Sequence, residues 1–174
     1  MHRPYSRPVA GDTGVTWHAR PMAARIINGS AELKSLIGEH LGYSEWMEIS
    51  QERVNQFADA TGDHQWIHID AERAKKESPF GGPIAHGYLT LSLGPVLMPQ
   101  VVVTTGFKMG VNYGANKTRF MSPVPVGAKL RLGVTLLAVE DIAGGVQTTY
   151  AFSFECEGAA KPSCVAEVIF RSYE

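Results

Sequence analysis

The sequence predicts an α+β fold, an antiparallel sheet wrapped around a long central helix. Three observations predict it. Short amphipathic helical segments occupy the first half of the chain, a run without charged side chains follows at residues 85–98, and the pattern beyond Thr104 alternates with the period of strands. An antiparallel sheet leaves one face to be covered, and the apolar helix is the cover at hand.

Taken in order, residues 1–22 are rich in Arg and Pro and lack periodicity and an apolar leader core. They read as a disordered tail or leader, with Met22 as an alternative start, and residues 23–174 read as one domain. Ser30 is placed to cap a helix over 31–37 that Gly38 stops, leaving His40 at its end. Residues 44–49 alternate as a short strand. Ser50 caps the next helix, with Glu52 in its first turn, where the dipole favours an anion. Val54, Phe57, Ala58 and Thr61 fall at helical spacing, so the helix covers 51–61 and ends at Gly62.

Residues 62–70 read as irregular, Asp70 caps a helix over 71–77, and the SPFGGP segment forces a loop. The central helix runs over 85–98 with a kink at Pro95, a span of roughly 20 Å at 1.5 Å per residue. A strand over 106–121, bulged at Gly114, leads to the SPVPVG turn. Leu130, Leu132, Val134 and Leu136 then alternate with Lys129, Arg131 and Thr135. A Gly-containing hairpin turn at 141–145 follows, and Val146, Thr148, Tyr150, Phe152 and Phe154 share one face of the next strand. Lys161 and Pro162 open a last strand that ends near Tyr173.

Composition excludes several classes. Sixteen Lys and Arg stand against 17 Asp and Glu, a net charge of −1, so no nucleic-acid surface is expected. Residues 84–103 are about long enough to cross a bilayer, but they hold His86, Gln100 and two prolines and read as a buried core segment, not a membrane span. Cys156 and Cys164 are too few for a disulfide framework and are not spaced as zinc ligands. They read as plain thiols in a reducing, cytoplasmic compartment, with no metal expected. Trp46, Trp66 and the methionines read as filling the core or an acyl pocket.

Three segments carry chemistry. In residues 60–70, ATGDHQWIHID, Asp63 and His68 stand five apart just after a helix. Histidine both accepts and donates a proton near neutrality, and a nearby carboxylate can orient it or a water. Spacing alone favours a solvated loop in which His64 and His68 face water and Asp63 caps a turn. In residues 83–90, PIAHGYLT, the start of the apolar helix offers unpaired N–H groups where a thioester oxygen could gather charge. Gly87 leaves room for close approach, or simply allows tight packing. His86 beside it, and Tyr113 and Asn116 further on, are further substrate contacts. On the strand that follows, Lys117 and Arg119 alternate with Thr118 and Phe120 and so share a face suited to phosphates, or to solvent. Lys108 and Lys161 are weaker candidates of the same kind.

Together these segments resemble the MaoC-like dehydratases and (R)-specific enoyl-CoA hydratases. The resemblance rests on FADATGDHQWIH at 57–68, PIAHGYL at 83–89 and RFMSPVPVG at 119–127, and runs from about residue 38 to the C-terminus. It implies a hotdog fold, a homodimer, and hydration of trans-2-enoyl-CoA, with coenzyme A as part of the substrate and no separate cofactor. Asp63 and His68 match the family's catalytic pair, and Gly87 matches its oxyanion donor. The family often carries Asn-Pro where this chain has Gln65 and Trp66, a departure that bears on loop shape and acyl preference. A thioesterase on the same fold and a non-catalytic acyl-CoA-binding module are the competing expectations.

Overall fold

The computed structural model describes residues 23–174. The tail reading for 1–22, with His18 and Met22, lies outside them.

Strands β1 (Arg25–Asn28) and β4 (Val102–Thr105) pair in parallel as a small separate ribbon. The main sheet is antiparallel, in the order β2 (His40–Tyr43), β6 (Lys129–Ile142), β7 (Gly145–Cys156), β8 (Cys164–Tyr173), β5 (Met109–Phe120). A two-residue strand, β3 (Met47–Glu48), also pairs with β6. The alternation read from β7 holds through its whole length, with Val146, Thr148, Tyr150, Phe152, Phe154 and Cys156 buried. Leu130, Leu132, Val134 and Leu136 of β6 are fully buried beside them. The hairpin between these strands is tight, and Gly144 adopts a positive φ of 75° that favours glycine.

Helix α2 (Gln51–Thr61) has the bounds its periodicity predicts. The Ser50 side chain accepts from Arg53 N–H, and Gly62 closes the helix at φ 78°. Helix α4 (Ala71–Glu77) is capped by Asp70, which accepts from Arg73 N–H at 2.9 Å. Between them Trp66–Ile69 form a single helical turn, α3, where the sequence read as irregular. Helix α1 (Gly29–Ser35) begins earlier than expected. Asn28, not Ser30, occupies its cap position, and Glu32 accepts the Asn28 N–H at 2.7 Å. His40 opens β2 instead of ending a helix, and the expected strand at 44–49 reduces to β3.

The apolar run is helical but broken. It comprises α5 (Gly87–Ser92), α6 (Gly94–Leu97) and a 3-10 turn over Met98–Gln100. The break falls at Leu93, ahead of Pro95, because Pro95 has no N–H for Leu91 and its ring crowds that carbonyl. Gly94 lets the run approach the sheet: a Cβ there would lie 2.8 Å from the Phe152 ring. Leu89, Leu93 and Leu97 join the sheet's inner residues in one core. Among the described residues no helix is long and apolar enough to cross a membrane. Cys156 and Cys164 are free and buried, and burial pushes the Cys164 thiol up to about 11.

Candidate active site

The α3 turn exists to place His68. Gln51 of α2 donates to the His68 carbonyl at 2.8 Å, and Ile84 N–H donates to Ile67, tying the turn to the segment entering α5. His68 is only 6% exposed. Its Nδ1–H donates to the Ile84 carbonyl at 2.7 Å, which fixes the tautomer and leaves Nε2 as a free lone pair. Burial lowers the His68 pKa from 6.5; the Ile84 bond and Asp63 raise it, and the neighbouring His86 lowers it further. At neutral pH the ring is therefore an uncharged base.

Asp63 sits in the exposed turn after the Gly62 cap. Its carboxylate, a His68 ring nitrogen and a His86 ring nitrogen all lie within 4.8 Å of one another. The structure thus brings together the two residues that spacing alone could leave in a solvated loop. His64 turns away and pairs with Asp59 at 3.0 Å, and that bond raises its pKa. His86 stacks on His68 with ring centroids 3.8 Å apart and planes inclined by 30°.

His68 lines a cavity of about 320 Å³ with Phe80, Ile84, Gly87, Thr90, Phe120 and Met121. Cavities of about 290 and 620 Å³ elsewhere do not include His68. Gly87 opens α5 on this cavity, and a first-turn N–H has no acceptor within its own helix. A Cβ on Gly87 would lie 2.9 Å from Phe120 Cγ, so the aromatic ring sits directly over the glycine. Phe120 and Phe80 were not among the candidates from sequence. Their signal was weak: each flanks a Pro- or Gly-rich loop beside a chemistry-bearing segment.

The remaining candidates fall elsewhere in the protomer. His86 is 2% exposed and stands behind His68, off the cavity wall. Tyr113 lies at the bulge between Asn112 and Gly114, under Arg171, whose guanidinium is 3.4 Å from its ring centre. Asn116 pairs with Glu167 in the sheet register. A second bulge lies between Asn116 and Arg119, with Lys117 at φ 48°. Lys117 bonds to Glu167 at 2.8 Å and Arg119 stands opposite Val165, two residues away on β8, so both cations lie toward that strand's half-buried face. Arg119 donates to the Thr118 carbonyl. Trp46 and Trp66 do not fill core. Arg131 stacks on Trp46 at 4.7 Å, and Arg73 on Trp66 at 4.4 Å.

Residues 32–153 match the model of the MaoC like domain. The chain is 52% identical over 148 residues to 3-hydroxyacyl-thioester dehydratase Z of Mycobacterium tuberculosis, covering 84% of this chain and 97% of that protein. It is 45% identical over 145 residues to nodulation protein N of Rhizobium leguminosarum bv. viciae, covering 80% and 88%. Among solved structures, a monoamine oxidase regulatory protein from Archaeoglobus superposes with a TM-score of 0.73 at 23% identity, covering 88% of this chain and 99% of that one. An unliganded (R)-hydratase from Pseudomonas aeruginosa gives 0.61 at 23% identity, covering 79% and 82%.

Proposed function

The chain belongs to the MaoC-like domain family, and from that premise we propose that it is a 3-hydroxyacyl-thioester dehydratase, a hydro-lyase, that interconverts trans-2-enoyl-CoA and (R)-3-hydroxyacyl-CoA. The observation that carries this reading is the approach of the Asp63 carboxylate to a neutral, tautomer-fixed His68, which lines the cavity together with Gly87 while Asp63 stands beside it in the exposed turn.

In the hydration direction the thioester carbonyl lies at the start of α5, where the Gly87 N–H takes the charge that builds on oxygen. Water sits between the Asp63 carboxylate and His68 Nε2. Its oxygen bonds to C3 as His68 takes one of its protons, and Asp63 balances the imidazolium. The carbonyl oxygen holds the electron pair released from the double bond until C2 takes a proton on the same face and the His68 imidazolium gives up the one it took, so that one whole water has been added. The product is an (R)-3-hydroxyacyl thioester, and dehydration reverses each step. Water adds across the double bond without net oxidation or reduction, so the chemistry calls for no redox cofactor; coenzyme A arrives as part of the substrate.

The active form is a homodimer in this reading. Strand β5 is an edge of the main sheet and is exposed along nearly its whole length, with Met109, Val111 and Tyr113 bare. Tyr88 on α5 beside it is 70% exposed. A free edge with apolar side chains is suited to pairing with a second copy. The two free thiols fit a cytoplasmic setting. No nucleic acid or membrane enters as a partner.

Crotonyl-CoA tests the reading. Loss of enoyl absorbance with formation of the (R)-alcohol is the expected result. Release of free thiol would instead favour a thioesterase, because hydration leaves the thioester intact. Thermal stabilisation by acyl-CoA without turnover would favour a binding module. Light scattering tests the dimer, and a monomer at assay concentration would remove it.

A further inference from the structure

His86 lies outside the cavity yet touches both halves of the proposed catalytic pair. Its Nε2 is 2.9 Å from the backbone oxygen of Asp63. A carbonyl can only accept, so Nε2 carries the proton and donates. The other ring nitrogen, Nδ1, is buried without a hydrogen-bond partner among the described residues. The same ring lies 3.8 Å from His68 on one side and 5.0 Å from Phe57 of α2 on the other. His86 is also the residue immediately before α5, so its backbone is fixed by the helix start. Asp63 itself stands in an exposed turn, where among the described residues its own side chain accepts a hydrogen bond only from the Gln65 N–H, at 3.4 Å. The backbone on either side is held by Gly62 N–H on the Ala58 carbonyl at 2.8 Å and His64 N–H on the Gly62 carbonyl at 3.2 Å, while the Asp63 carbonyl itself is held by His86.

We propose that His86 is a positioning residue: its Nε2–H tethers the Asp63 backbone while its ring backs His68, so that one side chain sets the spacing between carboxylate and base. This rests on the dehydratase reading given above. The tether holds the turn that carries Asp63 against the rigid start of α5. Without it the carboxylate drifts from the water that His68 addresses, while substrate binding in the cavity is left as it was.

Two substitutions separate the parts of the side chain. His86→Phe keeps a ring against His68 and removes the donor. His86→Gln removes the ring and keeps an N–H of similar reach. The tether predicts that His86→Phe lowers kcat at least about tenfold with KM within about twofold of wild type, because a small misplacement of a catalytic group costs rate more than binding. His86→Gln is predicted to keep kcat within about threefold. Near-wild-type kcat in His86→Phe, or an equal loss in both variants, overturns the proposal.

Should either variant fail to fold, imidazole nitrogen NMR of the wild-type protein at neutral pH reads the tether directly. An Nε2–H tautomer for His86 together with an Nδ1–H tautomer for His68 supports it. An Nδ1–H tautomer of His86, which leaves Nε2 without a proton, overturns it. Wild-type protein inactive on every enoyl thioester would count against the dehydratase reading alone, since the NMR measurement needs no substrate.

Discussion

Gly87→Ala tests whether the wall of the cavity is set by the contact between α5 and Phe120. The new Cβ would sit 2.9 Å from Phe120 Cγ and 3.0 Å from both Cδ atoms. An ordinary carbon–carbon contact is about 3.5 Å, so the ring must retreat by about 0.6 Å. Phe120 is about half exposed and can move. Alanine in a helix is favoured over glycine by up to about 1 kcal/mol, while overpacking opposes it by about 1 kcal/mol or more. The two effects nearly cancel, and Tm should shift by no more than about 4 °C. Activity has no such offset. Misplacement by about 1 Å at a catalytic site costs on the order of 10²-fold, so a displacement of this size beside the Gly87 N–H should lower kcat/KM at least about tenfold. The assay is loss of enoyl-thioester absorbance, with Tm measured alongside. The double variant Gly87→Ala, Phe120→Ala removes the clash and should recover much of the loss. Full activity in Gly87→Ala, or no recovery in the double variant, would refute the steric argument.

Other outcomes follow from the same coordinates. Burial lowers the His68 pKa from 6.5, so the acid limb of kcat/KM should lie below pH 6.5, and a limb above it would contradict a desolvated base. For stability the sign is the same. The unfolded chain binds the proton first, so the His68 contribution is lost as pH falls from 6.5 through the folded value. A urea titration of wild type against His68→Gln should show the wild type losing more stability over that interval. Phe154 is fully buried between β6 and the helical run. Phe154→Ala should cost about 3–5 kcal/mol in urea unfolding, and a loss below about 1 kcal/mol would mean the core closes around the gap.

Much of this was legible because it is local. Ser50 and Asp70 announce α2 and α4 through side chains that accept from a backbone N–H three residues on, and Gly62 ends α2 with a left-handed φ and its N–H on the Ala58 carbonyl. The alternation in β7 needs only a buried face. What failed to show depends on partners far along the chain. The parallel pairing of β1 with β4 joins residues 25–28 to 102–105 and leaves no short-range trace. Trp46 reads as core until Arg131 is placed beside it. The bulge at Lys117 is set by the register of β8, and Pro95 breaks the helical run at Leu93, two residues before the kink that the sequence placed at Pro95 itself. In the site, the segment at 60–70 supplied Asp63 and His68, but their meeting depends on Ile84 and His86 from a different segment. That is why spacing alone favours a solvated loop over an active pair.

The account depends most on the Asp63 carboxylate and the free His68 Nε2 acting on one water. The direct measurement is the rate of crotonyl-CoA hydration by Asp63→Asn and by His68→Ala, each checked for folding by circular dichroism. Each should fall by at least about 10²-fold with the fold intact. Near-wild-type hydration by either folded variant would contradict the account.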